Sequence, residues 1–291
     1  MKIFITGGTG FVGRPVVRQL LKTKYNLLIL SRNPKNAAKL FPRSGRLKFL
    51  RGDIFNVKIW SSRLKKFRPD VAIHMAWEGI PDYGPKISAK NLNGSIEVLR
   101  ALGESGCKKI IATGSSWEYG AASAKKFRED SAPKPLNAFS GAKTKLHFVG
   151  KEIAKRYGAK FIWARLFFVY GPSQKSSSLI PSLISMKKNG ISLRLNNPYG
   201  GNDFIHVEDA ARAVVKIARV GLKNSYTVYN VGTGIMTSNA RVANLVFGKK
   251  LLPEPKKPIG FWADISKIKK EIGWKPKTGI EAGIKDMLSK R

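Results

Sequence analysis

Three glycines spaced three residues apart follow directly on the first apolar run of this chain. The run is Ile3-Phe4-Ile5, the loop reads TGGTGFVG, and its glycines are Gly7, Gly10 and Gly13. An apolar stretch from Val16 to Leu21 follows the loop and is predicted to be helical. A strand, a glycine-rich turn and a helix in this order predict the opening βα unit of a parallel sheet.

Short apolar runs continue to alternate with helical patterns as far as residue 166. Leucines and isoleucine at 92, 96, 99 and 102, for example, have the spacing of an amphipathic helix. The pattern predicts an α/β fold whose parallel sheet is buried on both faces. Pro, Gly and Ser become frequent from 171 to 201, so a second, smaller region is predicted to start there. The further predicted strands are Leu27–Leu30, Leu47–Leu50, Val71–Met75, Ile110–Ala112 and Phe161–Leu166.

The composition is that of a globular protein. With 291 residues, 43% of them hydrophobic, the chain can bury a large core in one large domain or two closely packed ones. No run of about 18 apolar residues predicts a membrane span, and the start MKIFITGG lacks the layout of a signal peptide, so we expect a cytoplasmic protein. The single cysteine, Cys107, and three scattered histidines predict neither an internal disulfide nor a metal site.

The net charge of +36 raises the possibility of a nucleic-acid partner. The charge is spread evenly, because residues 1–150 hold 28 Lys and Arg against 9 Asp and Glu, and residues 151–291 hold 26 against 9. A dedicated nucleic-acid surface is more often a local stripe or arm. We therefore predict a solvated basic surface that attracts anionic ligands, and no nucleic-acid partner.

Each glycine of the TGGTGFVG loop has a physical role in holding a dinucleotide. The first allows a tight turn, the second lets backbone N–H groups approach a pyrophosphate, and the third lets the helix pack closely on the strand. The amino end of the helix adds partial positive charge beneath the phosphates. The position of the loop, at the start of an α/β chain, favours this interpretation over a purely structural turn.

The residues after the second predicted strand bear on which dinucleotide binds. A carboxylate there would accept hydrogen bonds from the adenosine ribose, but the chain has Ser31, Arg32 and Asn33. A guanidinium suits a 2′-phosphate, so NADP is favoured over NAD. Asp53, after the third strand, is predicted to meet the adenine amino group; the alternative is that it caps the helix that begins near Val57.

Eight motifs follow one another over nearly the whole length of the chain. They are TGGTGFVG, RPDVAIHMAW, TGSSWEYG, the helix containing Lys143, RLFFVYGP, DFIHVEDAARAV, YNVGTG and DISKIKKEIGWKP. By these motifs the chain resembles the extended short-chain dehydrogenase/reductases, in particular those that act on nucleotide-activated sugars. The resemblance implies a Rossmann-type doubly wound parallel sheet in a dinucleotide-binding domain of residues 1–170, rejoined by roughly 203–235, with residues 171–291 as a smaller substrate-binding lobe.

The resemblance also implies a catalytic set of a hydroxyl residue, a tyrosine and a lysine, the last two four residues apart on one helix face. Ser115 matches the hydroxyl position and Lys143 the lysine, but Phe139 stands where the tyrosine is expected. In the family the lysine binds the nicotinamide ribose and lowers the tyrosine pKa, and the tyrosine exchanges a proton with the sugar oxygen.

A phenyl ring at position 139 keeps the shape of a phenol and has no proton to give. Loss of a positioned acid or base costs roughly a hundred- to ten-thousandfold in rate, so activity is expected to be impaired and Phe139→Tyr to raise turnover at least a hundredfold. No other tyrosine stands four residues before a lysine, although Tyr119 could approach in space. The phenylalanine is either introduced or natural; if natural, Ser115, Ser116 or water delivers the proton, or the protein binds its ligands without turnover.

The residues that follow Ser115 narrow the choice of reaction. Family dehydratases carry an Asp-Glu pair where this chain has Ser116 and Trp117, which disfavours dehydration. Cys107 lies before the fifth predicted strand and not in the Ser115 turn, so it is predicted to be a small buried apolar residue without a part in the reaction. Reduction of a 4-keto sugar is favoured, with 4-epimerisation as the alternative. A silent NADP-binding sensor or anion-binding protein is the alternative of another class, and a reductase of non-nucleotide carbonyls is a third.

The predicted site has a cofactor part and a substrate part. Trp117 is expected to stack on the sugar. In family members an Asn and an Arg hold the diphosphate, and Phe168 and Asn202 stand at these positions here. Arg194 or Lys175 is therefore proposed to contact the diphosphate. His206 is expected to be structural. The resemblance implies a homodimer through helices spanning about 86–104 and 138–157. The predicted cofactor residues are Gly7, Gly10, Phe11, Val12, Gly13, Ser31, Arg32, Asp53, Ile54 and Lys143, and the substrate residues are Ser116, Trp117, Phe168 and Arg194.

Overall fold

The computed structural model describes residues 1–120 and 124–289. The strands are β1 Lys2–Thr6, β2 Asn26–Ser31, β3 Leu47–Arg51, β4 Val71–His74, β5 Lys109–Ser115, β6 Lys125–Phe127, β7 Lys160–Leu166, β8 Phe168–Tyr170, β9 Gly200–Asn202, β10 Phe204–His206, β11 Tyr226–Val231, β12 Thr237–Ser238 and β13 Ile259–Ala263. The helices are α1 Gly13–Leu21, α2 Pro34–Ala38, α3 Ser61–Phe67, α4 Pro85–Glu104, α5 Ala138–Arg156, α6 Leu179–Lys188, α7 Val207–Arg219, α8 Asn239–Phe247, α9 Ser266–Ile272 and α10 Ile280–Ser289. Two short 3₁₀ helices span Val57–Ile59 and Ser116–Tyr119.

A seven-stranded sheet has the strand order β11-β7-β5-β4-β1-β2-β3. The pairs β1–β2, β1–β4, β2–β3 and β4–β5 are all parallel, with Ile3 opposite Leu27 and Val71. The chain therefore runs outward from β1 to β3 and then returns to the other side of β1. The α/β prediction and the Rossmann-type doubly wound sheet are confirmed, and each predicted apolar run lies in a strand of this sheet.

The first of two compact units comprises residues 1–120, 132–165 and 211–229. Its central strands are apolar without alternation, because both of their faces are covered; Ile3, Phe4 and Ile5 are all fully buried. Phe4 packs against Trp60, with ring centroids 5.6 Å apart, in a cluster that takes in residues of β1 to β5 and α3 to α5. The unit thus has its own core on a parallel sheet.

The second unit comprises residues 166–210, the described residues 124–131 and the described residues 230–289. It contains a four-stranded sheet in the order β12-β9-β13-β6 and a two-stranded parallel pair, β8 with β10. Tyr170, Ile180 and Phe204 belong to its separate apolar core. The fully buried Asp203 ties the unit together, because its carboxylate accepts hydrogen bonds from the backbone of Thr233, Gly234 and Ala263 at 2.7 to 3.1 Å.

Among the described residues, the model contains no helix that is both long enough and apolar enough to cross a membrane. The predicted periodic segment around Leu92 and Leu99 is α4, and both residues are buried. Cys107 is also buried, and burial raises the pKa of its thiol to about 12, which agrees with its interpretation as an inert apolar side chain.

Candidate active site

The glycine loop between β1 and α1 leaves no room for a side chain at its first and last glycines, Gly7 and Gly13. Gly7 has a φ of +72°, and a Cβ there would stand 2.6 Å from the backbone nitrogen of Ala76. A Cβ on Gly13 would stand 2.0 Å from the carbonyl oxygen of Gly7. Both distances are far below any normal contact, so glycine is required at the two positions, as the sequence predicts.

The loop is closed by its own backbone. The N–H of Gly10 donates to the Gly7 oxygen at 3.0 Å, and the N–H of Arg14 donates to the Gly10 oxygen at 3.0 Å. Phe11 and Val12 are half-buried in the turn that leads into α1. No acidic residue lies in the first turn of α1. A cradle of backbone at the amino end of a helix fits the pyrophosphate of a nicotinamide dinucleotide.

An ion pair follows β2 at the position where dinucleotides are distinguished. Ser31 ends the strand, and Arg32 donates to Glu78 at 2.7 Å, while Lys90 contacts the other carboxylate oxygen of Glu78 at 3.1 Å. Lys90 and Arg32 together lower the pKa of the Glu78 carboxyl. Glu78 lies 46 residues from Arg32 along the chain, so no local pattern in the sequence indicates the pair. The predicted phosphate-binding guanidinium therefore has a carboxylate beside it.

Asp53 and Ile54 occupy the turn after β3. Oδ1 of Asp53 accepts hydrogen bonds from the backbone N–H groups of Phe55 and Asn56, at 2.8 and 3.0 Å. Asp53 therefore holds this turn, while Asn56 is the residue that caps the following 3₁₀ helix. The Ile54 side chain is buried in the core, so any contact of Ile54 with a cofactor would have to come from its backbone.

Ser115 caps the 3₁₀ helix that follows β5. Its Oγ accepts a hydrogen bond from the N–H of Trp117 at 3.2 Å, and its own N–H donates to Glu118 at 2.7 Å. This reciprocal arrangement is a capping box. One of the two Oγ lone pairs is thus engaged with backbone, and the hydroxyl keeps an O–H that can donate outward. Ser116 is buried, whereas Trp117 is half-buried.

A buried carboxylate supports the Ser115 turn from below. Glu118 accepts hydrogen bonds from Arg165 and from the indole N–H of Trp163, both at 3.0 Å. Burial raises the pKa of Glu118, and Arg165 opposes this by favouring the charged form. Arg165 also donates to the phenol oxygen of the buried Tyr119 at 2.9 Å. Tyr119 is therefore held in a structural network.

Lys143 lies in α5 with 5% of its surface exposed. Its ammonium donates to the carbonyl oxygen of Thr113 at 2.9 Å and lies 4.0 Å from the ring centroid of Trp77. Burial lowers the Lys143 pKa to about 7, and Glu118 opposes that shift. The hydrogen bond to the end of β5 fixes the lysine on the Ser115 side of the sheet.

Phe139, one helical turn before Lys143, is buried in a group of aromatic rings. Trp77, Tyr83 and Trp117 lie with their ring centroids 5.5, 5.2 and 6.0 Å from the centroid of Phe139. Tyr83 and Trp117 are themselves 4.8 Å apart. We call these four residues the aromatic cluster. Apart from Phe139 and Trp117, its members come from the segment between β4 and α4: Trp77 ends the RPDVAIHMAW motif, and Tyr83 lies outside the motifs of the sequence.

The remaining predicted residues belong to the second unit. Phe168 packs against Phe204 and Phe261, with ring centroids 6.1 Å apart in both pairs, and Arg194 and Lys175 are exposed. Asn202 ends β9, opposite Thr237 of β12. His206 is buried and lies 3.6 Å from Asp286, as expected of a structural histidine. Within residues 1–120 and 124–289, no group of three His, Cys, Asp or Glu side chains is placed to hold a metal.

Comparisons with known proteins identify the family of the chain. A sequence profile of the NAD dependent epimerase/dehydratase family matches residues 3–232. A UDP-glucose 4-epimerase of Lactobacillus helveticus is 26% identical over an alignment of 309 positions, which covers 95% of this chain and 92% of that protein. This relative is an enzyme of the type that the sequence resemblance implies.

Solved structures share the fold. UDP-glucose 4-epimerase of Thermotoga maritima, determined with UDP-glucose, has a TM-score of 0.85 at 23% identity, covering 99% of this chain and 97% of that one. A dTDP-glucose 4,6-dehydratase of Bacillus anthracis, determined with NAD, has a TM-score of 0.83 at 24% identity, covering 99% and 95%. The resemblance to extended short-chain dehydrogenase/reductases of nucleotide sugars is confirmed. The chain belongs to the NAD dependent epimerase/dehydratase family of enzymes.

Proposed function

We propose that this protein is a nucleotide-sugar 4-epimerase with a resident nicotinamide dinucleotide. The observation that carries the proposal is the arrangement around β5, where the Ser115 hydroxyl and the Lys143 ammonium are fixed near one strand end. The glycine loop provides the matching cradle for a dinucleotide. The curated relatives named as UDP-glucose 4-epimerases support the 4-epimerase over the 4-keto-sugar reductase that the sequence alone favours.

The chain's own groups have separable roles in this proposal. When bound, the cofactor supplies reversible two-electron oxidation and reduction of a sugar carbon. Lys143 donates hydrogen bonds to the cofactor ribose and places positive charge beside the reacting oxygen. Ser115 donates its O–H to that same sugar oxygen, because its Oγ already accepts from the Trp117 N–H. The aromatic cluster excludes water from the reacting carbon.

Dehydration is disfavoured for a chemical reason. Eliminating water from the sugar takes an acid and a base close to the catalytic hydroxyl. The two residues that follow Ser115 are a buried serine and a tryptophan, and neither can supply a carboxylate. Glu118, the nearest carboxylate along the chain, is fully buried against Arg165 and Trp163, so it is committed to the support of the turn.

We propose NAD as the cofactor. The preference for NADP inferred from sequence depends on Arg32, and Arg32 is 2.7 Å from Glu78. A 2′-phosphate brought to that guanidinium would also meet the Glu78 carboxylate, whereas the uncharged ribose hydroxyls of NAD can donate to it. An epimerase also recycles its cofactor, which removes the usual advantage of NADP for net reduction.

The second unit is proposed to bind the nucleotide sugar. Phe168 offers an aromatic surface, while the exposed Arg194 and Lys175 offer positive charge for a diphosphate. We also propose a homodimer through α4 and α5 of each copy. Phe148 of α5 and Tyr157, which directly follows α5, are 52% and 38% exposed and line a groove with Arg100 of α4.

The test is to incubate the purified chain with UDP-glucose and NAD and to follow the sugar by proton NMR. An epimerase converts it to a mixture with UDP-galactose without net formation of NADH. A reductase would instead consume NADH or NADPH in proportion to a 4-keto sugar, and a silent binding protein would turn over neither. Absence of conversion by both the chain and its Phe139→Tyr variant, across UDP- and dTDP-sugars, contradicts the proposed function.

A further inference from the structure

The phenol that is absent at position 139 has a neighbour with the same chemistry. The Tyr83 ring lies 5.2 Å from Phe139 and 4.8 Å from Trp117, measured between centroids. Phe139 is one helical turn from Lys143, and Trp117 is two residues after Ser115. Tyr83 therefore contacts both elements that carry the predicted catalytic groups. Its position could not be found by spacing, because it reaches the site from the segment between β4 and α4.

This segment is held in place by specific bonds. Gly79 has a φ of +91°, its carbonyl oxygen accepts from the Asp82 N–H at 2.8 Å, and the Asp82 carboxylate accepts from the Gly84 N–H at 2.8 Å. At the other end, the buried Asn91 of α4 accepts from the N–H of Glu78 at 2.7 Å and donates to its carbonyl oxygen at 2.9 Å. Tyr83 is thus presented by a fixed turn directly before α4.

We propose that Tyr83 is the acid/base residue of the reaction, in place of the tyrosine that the family resemblance implies at position 139. The inference rests on the proposed function and assigns its proton transfer. In the reductive direction Tyr83 breaks its O–H bond and forms an O–H bond to the ketone oxygen, while the carbonyl carbon takes the hydride that the reduced nicotinamide cofactor supplies. In the oxidative direction the Tyr83 phenolate takes the proton of the sugar hydroxyl while the same carbon gives its hydride to the oxidised cofactor, so one oxidation and one reduction return Tyr83 to its starting state.

Two further observations disfavour the other hydroxyl groups. Tyr119 accepts a hydrogen bond from Arg165 and is 1% exposed, which places its oxygen inside the support of the turn. Ser115 has an ordinary alcohol O–H, which is a far weaker acid than a phenol.

Turnover of matched variants tests the assignment. Tyr83→Phe is expected to lower kcat at least a hundredfold while leaving NAD affinity within about twofold. In the Tyr83→Phe background, Phe139→Tyr is expected to raise kcat at least a hundredfold. In the natural sequence, the same change is expected to raise kcat by less than that. Tyr25→Phe, in the half-buried turn before β2, is the control and is expected to leave kcat unchanged.

A second readout does not depend on turnover. Tetranitromethane nitrates accessible phenols, and the extent at each tyrosine is measured by mass spectrometry. We expect NAD with UDP-glucose to protect Tyr83, and to leave the nitration of Tyr25 unchanged. Lack of protection at Tyr83 overturns the inference, even when no turnover is detected.

The remaining outcomes separate the two proposals. If the kcat of Tyr83→Phe stays within threefold of the natural chain, or if only Tyr119→Phe loses turnover, the inference is wrong and the proposed function stands. If the natural sequence is inactive and Phe139→Tyr is active, Tyr83 does not replace the missing phenol, and again only the inference fails. If no variant binds a nicotinamide dinucleotide, the proposed function itself fails.

Discussion

The glycine loop and the aromatic cluster lie in the same unit and are built in opposite ways. In the loop, residues 7–13, backbone approaches backbone so closely that no carbon can be added at Gly7 or Gly13. The cluster is made of four large rings drawn from three segments of the chain. A site that depends on backbone contacts has a single sequence solution, whereas a site assembled from several side chains can lose one group and recover its chemistry from another.

A tyrosine at position 139, which the family resemblance implies, would differ from Phe139 by one oxygen and would keep the packing of the ring against Trp77 and Tyr83. If Tyr83 supplies the acid/base group, as proposed, the aromatic cluster is an example of the second case. No comparable exchange is open at Gly7 or Gly13, because each position excludes a side chain. Four predictions sharpen this contrast.

The largest effect is expected for Gly13→Ala. The new Cβ would stand 2.0 Å from the Gly7 oxygen, so backbone must move, and we expect the free energy of unfolding to fall by about 4 kcal/mol or more. Gly141→Ala in α5 is the matched control, since its Cβ meets nothing within 4 Å. The free energy of unfolding of that variant should rise by up to about 1 kcal/mol. Equal urea midpoints for the two variants would show that the loop is not sterically restricted.

The next effect tests the support of the reaction centre. Glu118→Gln leaves Arg165 buried without its countercharge, and we expect a loss of about 3 kcal/mol in urea denaturation. Glu97→Gln is the control: it removes a 2.6 Å ion pair with Arg100 in which both side chains are more than half exposed, and its expected effect is within about 0.5 kcal/mol. A loss for Glu118→Gln no larger than that of the control would mean that the buried pair is unimportant.

The third prediction concerns the pH dependence that Lys143 imposes. Its pKa is about 7 in the folded chain without cofactor and near 10.5 in the unfolded chain, so between these values only the unfolded chain holds the proton. Raising the pH through this window therefore stabilises the natural chain relative to Lys143→Met, by more than about 1 kcal/mol. Parallel stability profiles from pH 7 to 10 would contradict the burial of an ionisable amine at this position.

The smallest effect is expected at the cofactor's adenosine end. Glu78→Gln removes the carboxylate beside Arg32 and should improve the affinity for NADP relative to NAD roughly fivefold, about 1 kcal/mol. Glu104→Gln makes the same change in net charge at an exposed pair with Lys65 and should leave the ratio unchanged. A ratio that shifts equally in both variants would point to the general basic surface as the cause.

Sequence alone gives much of the fold and of the cofactor cradle, for local reasons. The glycine loop, the apolar strands and the Lys143 helix are each determined within about 20 residues, so spacing and periodicity are sufficient to locate them. The Ser115 turn was locatable too, and Glu118 had a signal: a Glu three residues after a Ser is the spacing of a capping box. Arg165, inside an apolar strand, likewise indicates a buried partner.

The rest of the site depends on contacts between distant segments. Glu78 meets Arg32 across 46 residues, and Tyr83 meets Phe139 only because the turn before α4 is anchored by Asn91. Trp77 ends the RPDVAIHMAW motif, but neither Trp77 nor Tyr83 belongs to a periodic pattern, so no spacing rule places them beside Phe139. Tyr119, four residues after Ser115, is the replacement phenol that the sequence indicates, while the structure brings Tyr83 to the ring at position 139.

The most direct test of the central claim is calorimetric titration of the full chain with NAD after removal of any copurified nucleotide. The account predicts saturable binding of one NAD per chain, lost in a folded Gly7 or Gly13 variant and retained in Tyr83→Phe. If neither oxidised nor reduced NAD or NADP binds to the folded natural chain, the glycine loop is a structural turn and the proposed enzyme activity is excluded.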